Sequence, residues 1–163
     1  MILVAIGSNL NSQSYGSPEQ NCKIAIDMLG KYFEVSQFSS FYKTEPIPKS
    51  EQPWFVNCIV NIKSKNSPSM VLDTLLKIES QFGRKRNRKN EARIIDLDLV
   101  AYDSLIVKSL KLTLPHPRMH LRKFVIKPLC DINENWIHPI SKKKASEILK
   151  ELANQKISNI NEN

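Results

Sequence analysis

Apolar and polar positions change period along this chain in an ordered way. Met1-Ile2-Leu3-Val4-Ala5-Ile6 is a continuous apolar run closed by Gly7-Ser8-Asn9, the pattern of a short buried strand over 2–6. Ser17-Pro18-Glu19-Gln20 then combines an N-cap, a proline at the first helical position and a glutamine that can close a capping box. Cys22, Ala25, Ile26 and Leu29 follow at i, i+3, i+4 and i+7 and predict a helix stopped by Gly30. Tyr32 to Thr44 is rich in β-branched, aromatic and small polar residues, which predicts one long strand. Residues 45–53 carry Pro46, Pro48 and Pro53 and must form a loop.

A strand is predicted from Trp54 to Lys63. Ser67-Pro68 opens a second helix whose apolar face is Val71, Leu72, Leu75, Ile78 and Phe82, with Gly83 as its stop. Ile94 to Val100 alternates and predicts the next strand, which with the first is expected at the centre of the sheet. The order βαββαβ is that of an α+β unit, a two- or three-layer sandwich with helices packed on one side of a mainly antiparallel sheet. C-terminal additions follow: a hairpin around 105–114, a short helix near 120–129, and an amphipathic helix carrying Ala145, Ile148, Leu149 and Leu152. The polar tail from about residue 155 is expected to fray, and residues 1–163 to form a single domain, most simply a monomer.

Composition narrows the setting. With 163 residues, 41% apolar and 25% charged, the chain has the balance of a globular domain. It has no apolar run near the ~18–20 residues of a membrane span. The first apolar run lacks a basic flank and reads as a strand, not a leader. Cys22, Cys58 and Cys130 are widely spaced and odd in number, which suits free thiols in the cytoplasm. The net charge of +8 calls for an anionic partner. Much of it is local, because residues 84–93 hold six basic side chains against one acidic.

That basic stretch runs into Asp96-Leu97-Asp98. On a strand, i and i+2 share a face, so the two carboxylates emerge together while Ile95, Leu97 and Leu99 point to the core. Adjacent carboxylates repel, and a divalent cation relieves the cost; oxygen ligands without His or Cys favour Mg²⁺, which also binds substrate phosphates. The plainer alternative is an edge strand whose outer face is simply wet. Arginines beside such a pair suit a polyphosphate, although a solvated loop or a nucleic-acid patch would also be basic. The four glycines, at 7, 16, 30 and 83, can write neither a P-loop nor a dinucleotide fingerprint. In Leu114-Pro115-His116-Pro117-Arg118, prolines hold a histidine in a rigid turn, where it is either structural or, with Arg122, a phosphate contact.

These segments together resemble the 6-hydroxymethyl-7,8-dihydropterin pyrophosphokinases of folate biosynthesis. The resemblance rests on Ala5-Ile6-Gly7-Ser8-Asn9-Leu10, Ser40-Phe41-Tyr42-Lys43-Thr44-Glu45-Pro46, Gln52-Pro53-Trp54-Phe55-Val56-Asn57, Gly83-Arg84-Lys85-Arg86, Arg93 to Leu99, and Leu114 to Met119 with Phe124. It implies a ferredoxin-like fold and a reaction of ATP with a pterin alcohol, giving the diphosphate and AMP. It further implies that Asp96 and Asp98 hold two Mg²⁺ ions, with Asp98 also a candidate proton acceptor. Arg84 and Arg93 would engage the triphosphate, and Glu79, Thr113, His116 and Arg122 the nucleotide. Phe55 and Phe124 would sandwich the pterin, Asn57 would read its edge, and Thr44 and Glu45 would add backbone contacts. Read without the resemblance, the two phenylalanines are better taken as plain core packing.

The family has an aromatic and Gly-Pro before the arginine that opens the metal-binding strand, where this chain has Asn90-Glu91-Ala92. That departure bears on loop closure and leaves a catalytically impaired relative as one rival reading. An RNA-binding module is another, since it shares the element order; it would need aromatics on the central strands, where this sequence offers aliphatics and two aspartates. The small-molecule reading therefore expects neither a nucleic-acid nor a membrane partner.

Overall fold

The computed structural model describes residues 1–83 and 92–161. The elements run β1 (Ile2–Ser8), α1 (Pro18–Gly30), β2 (Glu34–Phe38), β3 (Tyr42–Thr44), β4 (Phe55–Lys63), α2 (Pro68–Gln81), β5 (Asp96–Tyr102), β6 (Val107–Lys108), β7 (Thr113–Leu114), α3 (Lys123–Asn133), α4 (Ala145–Glu151) and β8 (Ile157–Asn159). The main sheet has the order β5-β1-β4-β3-β8, with β2 also on β4, and its pairs are antiparallel. This is the expected α+β, ferredoxin-like arrangement.

Both long helices start as the sequence predicts. Ser17 accepts from Gln20 N and the Gln20 side chain accepts from Ser17 N, which completes the capping box. Ser67 caps α2 by accepting from Met70 N. Gly83 leaves α2 at φ +75°, a conformation that a residue with Cβ adopts at a cost. Helix α1 runs through Gly30 to a right-handed cap at Lys31, so that glycine ends it by position and not by left-handed backbone.

Three expectations are corrected. The strand foreseen over 32–44 is broken into β2 and β3, because Ser39 turns its hydroxyl to Ser40 O and accepts from Ile59 N in place of regular pairing. The strand that carries Asp96 and Asp98 lies at the edge of the sheet, beyond β1, and not at its centre. The segment past 155 is ordered as β8: Ile157 pairs with Thr44, and Ile160 N donates to Phe41 O. The open edge of β3 supplies unpaired backbone groups, and the tail satisfies them.

Helices α1 and α2 cover one face of the sheet around Val4, Ile6, Leu75, Ile78 and Leu97. The other face packs Leu3, Ile59 and Val100 against Met119, Ile126 and Ile148 from the C-terminal additions. The result is three layers, and each fully buried aliphatic side chain contributes about 1.5–3 kcal/mol. Among the described residues, no helix is long and apolar enough to cross a membrane.

His138 holds the turn before α4. It is 3% exposed, and its Nδ1 accepts from Ile140 N and Ser141 N at 3.2 Å each. Burial, and then His120 at 5.4 Å between ring centroids, push its pKa below the usual 6.5. The folded state therefore favours the neutral ring, and the stability it supplies is present above pH 6.5 and lost as pH falls below that value. The unfolding midpoint is expected to drop between pH 7 and pH 5, and to drop less in His138→Asn, whose amide oxygen accepts without titrating. Equal slopes in the two proteins would remove His138 as the source.

Candidate active site

The C-terminal end of β1, the start of β4, the start of β5, the loop 45–53 and the start of α3 line an open cavity. Asp96, Asp98, Arg93 and Arg122 line it together with Phe55, Asn57 and Phe124. The alternation of β5 does what its sequence predicts. Ile95, Leu97 and Leu99 are at most 3% exposed in the core, while the two aspartates face the cavity.

Charge is concentrated there. Arg93 Nη1 meets Asp96 Oδ2 at 2.7 Å, and Arg122 Nη1 lies 4.0 Å from Asp98 Oδ2. Burial first, and then Asp96, raise the Asp98 pKa from 3.8 to about 7, against the opposing pull of Arg122. A carboxyl held so high is one for which the ionised pair is costly as it stands. The donors are oxygens only, and among the described residues no group of three or more His, Cys, Asp or Glu could hold a metal. Two carboxylates with the remaining positions left to phosphate and water fit Mg²⁺.

The apolar lining of the cavity is built around an amide. Asn57 is 5% exposed and donates from Nδ2 to Thr44 Oγ1 at 2.7 Å. It pairs with Gly7 across β1 and β4, and a Cβ on Gly7 would stand 3.0 Å from Asn57 Oδ1. Arg122 Cζ lies 5.4 Å from the centre of the Phe124 ring, within cation–π range.

Other candidates sit around this cavity and not on it. Thr44 and Glu45 line an adjoining pocket with Lys49, Lys123 and Lys156. Glu79 is 2% exposed behind β5, where its Oε1 accepts from Leu97 N at 2.8 Å. It thereby braces the strand between the two aspartates. Thr113 belongs to β7. His116 Nδ1 accepts from Arg118 N at 3.1 Å, and burial, then Arg122 and Arg118, lower its pKa to about 4. It is therefore neutral at pH 7, with Nε2–H as its donor. Arg84 lies outside the described residues, as do Asn90 and Glu91.

Sequence reasoning missed the residues that fasten this site together. Asn9 Oδ1 accepts from Arg93 N at 2.8 Å, while its Nδ2 donates to Pro53 O at 3.1 Å and Gln52 Oε1 at 3.2 Å. One side chain thus ties the proline loop to the start of β5. Asn21, fully buried on α1, donates to Leu10 O and Ser8 Oγ behind it. The available signal was Gly7-Ser8-Asn9, three turn-forming residues closing a strand that enters the site.

Fold and site together define an α+β, ferredoxin-like protein with a carboxylate pair beside arginines in a half-apolar cavity. Comparison with known proteins takes this to a family. Residues 3–134 match the family model of 7,8-dihydro-6-hydroxymethylpterin-pyrophosphokinase. The chain is 35% identical over 160 residues to the 2-amino-4-hydroxy-6-hydroxymethyldihydropteridine pyrophosphokinase of Haemophilus influenzae, covering 97% of this chain and 96% of that one. It is 35% identical over 133 residues to a folate synthesis bifunctional protein of Arabidopsis thaliana, covering 80% of this chain but 26% of the longer one. Among solved structures, the wild-type Plasmodium falciparum HPPK-DHPS with pteroate superposes with a TM-score of 0.74 at 13% identity, over 92% of this chain and 44% of that one. The chain belongs to the 7,8-dihydro-6-hydroxymethylpterin-pyrophosphokinase family.

Proposed function

We infer that this chain transfers the terminal diphosphate of ATP to the hydroxymethyl group of 6-hydroxymethyl-7,8-dihydropterin in folate biosynthesis, giving the pterin diphosphate and AMP. The observation that carries the reading is a single cavity lined both by Asp96, Asp98, Arg93 and Arg122 and by Phe55, Asn57 and Phe124. The first set suits a polyphosphate, the second a flat heterocycle with a donor–acceptor edge.

In the reaction the hydroxymethyl oxygen bonds to the β-phosphorus, the bond between that phosphorus and the oxygen bridging to the α-phosphate breaks, and AMP leaves with that oxygen. Asp96 and Asp98 would hold two Mg²⁺ ions, which when bound neutralise charge on the phosphates. Arg93 and Arg122, with Arg84, hold and orient the triphosphate. Neutral His116 offers Nε2–H to the nucleotide without adding charge. Glu79 contributes through the strand it braces, and Thr113 through the segment that leads to His116. Phe55 and Phe124 sandwich the pterin, Asn57 reads its edge, and the backbone at Thr44 and Glu45 adds to that edge. An Asp98 carboxylate oxygen accepts the hydroxymethyl proton. The loop 45–53 limits access of water, so that positioning and charge neutralisation supply most of the rate.

The test is AMP formation in a mixture of the chain, ATP, Mg²⁺ and the dihydropterin alcohol. AMP is expected only with all components present, lost on adding a chelator and restored by excess Mg²⁺. Magnesium-dependent ATP binding without AMP would instead indicate a catalytically impaired relative and point to Asn90-Glu91-Ala92. The absence of both ATP binding and AMP formation would overturn the reading.

A further inference from the structure

The segment that forms β8 does more than close the sheet. Ahead of it, Gln155 turns its side chain to the start of α3, where Oε1 accepts from Lys123 N at 2.8 Å and Nε2 donates to Leu121 O at 2.8 Å. These two backbone groups flank Arg122. One amide therefore brackets the residue whose guanidinium stands 4.0 Å from Asp98 and 5.4 Å from the Phe124 ring.

The bracket fills a local need. Arg122 is the N-cap residue of α3, with extended backbone and no side-chain hydrogen bond to its own helix. The first amides of a helix have no partner within it, and Lys123 N finds one in Gln155, thirty-two positions along the chain. Gln155 is itself anchored on both sides. Its own N–H donates to Leu152 O after α4, and two residues later Ile157 pairs with Thr44, whose hydroxyl receives Asn57. The same segment thus touches the supports of both sets of lining residues.

We propose that Gln155 is a positioning residue for the transfer reaction: by clamping the backbone on either side of Arg122 it aims that guanidinium, and Phe124 beside it, into the cavity. It lies outside residues 3–134, which match the family model. The proposal rests on the function inferred above.

The test measures kcat and KM for ATP and for the pterin in wild type, Gln155→Ala, Arg122→Ala and the double variant, with unfolding midpoints alongside. Gln155→Ala is expected to lower kcat/KM for ATP about tenfold through the lost aim of Arg122, and to lower the midpoint by about 2–8 °C, because two hydrogen bonds to backbone are lost with it. If Gln155 acts through Arg122, the double variant is no worse than Arg122→Ala alone, whereas a merely structural role predicts that the two losses multiply. Gln155→Glu keeps the acceptor for Lys123 N and loses the donor to Leu121 O, and is expected to recover part of the loss. Unchanged kcat/KM in Gln155→Ala, or multiplying losses, with an active wild type, overturns this inference alone. An inactive wild type overturns the functional reading and this role with it.

Discussion

Asp98→Asn is expected to lower kcat on the order of 10²–10³-fold and, in the same protein, to raise the unfolding midpoint measured without magnesium. Both effects come from one cause. Burial and the neighbouring Asp96 raise the Asp98 carboxyl from 3.8 to about 7. Its folded state thus favours the proton, and the stability that goes with it is complete below pH 3.8 and lost as pH rises through about 7. At pH 7.5 the ionised pair is a burden on the metal-free fold, and an amide of the same shape removes it. Magnesium is expected to stabilise the wild type by binding the folded state, and to stabilise the variant far less. Thermal unfolding at pH 7.5 with and without Mg²⁺, beside the AMP assay, checks both halves. A variant that keeps full activity would take Asp98 out of the mechanism, and a lowered midpoint would refute the account of its charge.

Gly7→Ala tests the other set of lining residues. The added Cβ would lie 3.0 Å from Asn57 Oδ1 and 3.8 Å from Phe55 Cδ1. Asn57 cannot easily retreat, because its Nδ2 is committed to Thr44 Oγ1 at 2.7 Å and the residue is 5% exposed. The amide must shift, and with it the edge that reads the pterin. A displacement of this kind costs up to about 10²-fold in kcat/KM for the pterin, while magnesium-dependent ATP binding is expected to stay near wild type. The checks are steady-state kinetics with each substrate varied and ATP binding by calorimetry. Equal losses toward ATP and pterin would mean that the substitution disturbs β1 as a whole and not the amide.

Features with local causes were legible in the sequence. The capping box at Ser17 and Gln20, the prolines that open both long helices, and the two-residue period of β5 each arise from contacts between near neighbours, and each stands as predicted. The members of the cavity wall could be named from the resemblance, and seven of the candidate residues do line one cavity. What stayed hidden depends on partners far along the chain. Nothing near Ser39 announces that its hydroxyl will accept from Ile59 N and break a strand. Nothing near Ile157 shows that an open edge awaits it on β3. The same holds for Asn9, Asn21 and Gln155, short polar side chains whose meaning lies in distant backbone groups. Glu79 carries its own lesson: a carboxylate near the site in sequence can face the core and serve a backbone amide.

The three-layer construction also sets an order of assembly. The layer built from α1 and α2 closes over the sheet with residues up to Leu114, whereas the opposite face, with Leu3, Ile59 and Val100, is covered only by residues from Met119 onward. A growing polypeptide that has left the ribosome no further than β7 therefore carries the buried residues of one core, and those of the other sheet face without their cover. Until α3 and α4 emerge, that face is the surface on which premature association would begin, and the arrival of the last third of the chain both shields it and completes the cavity.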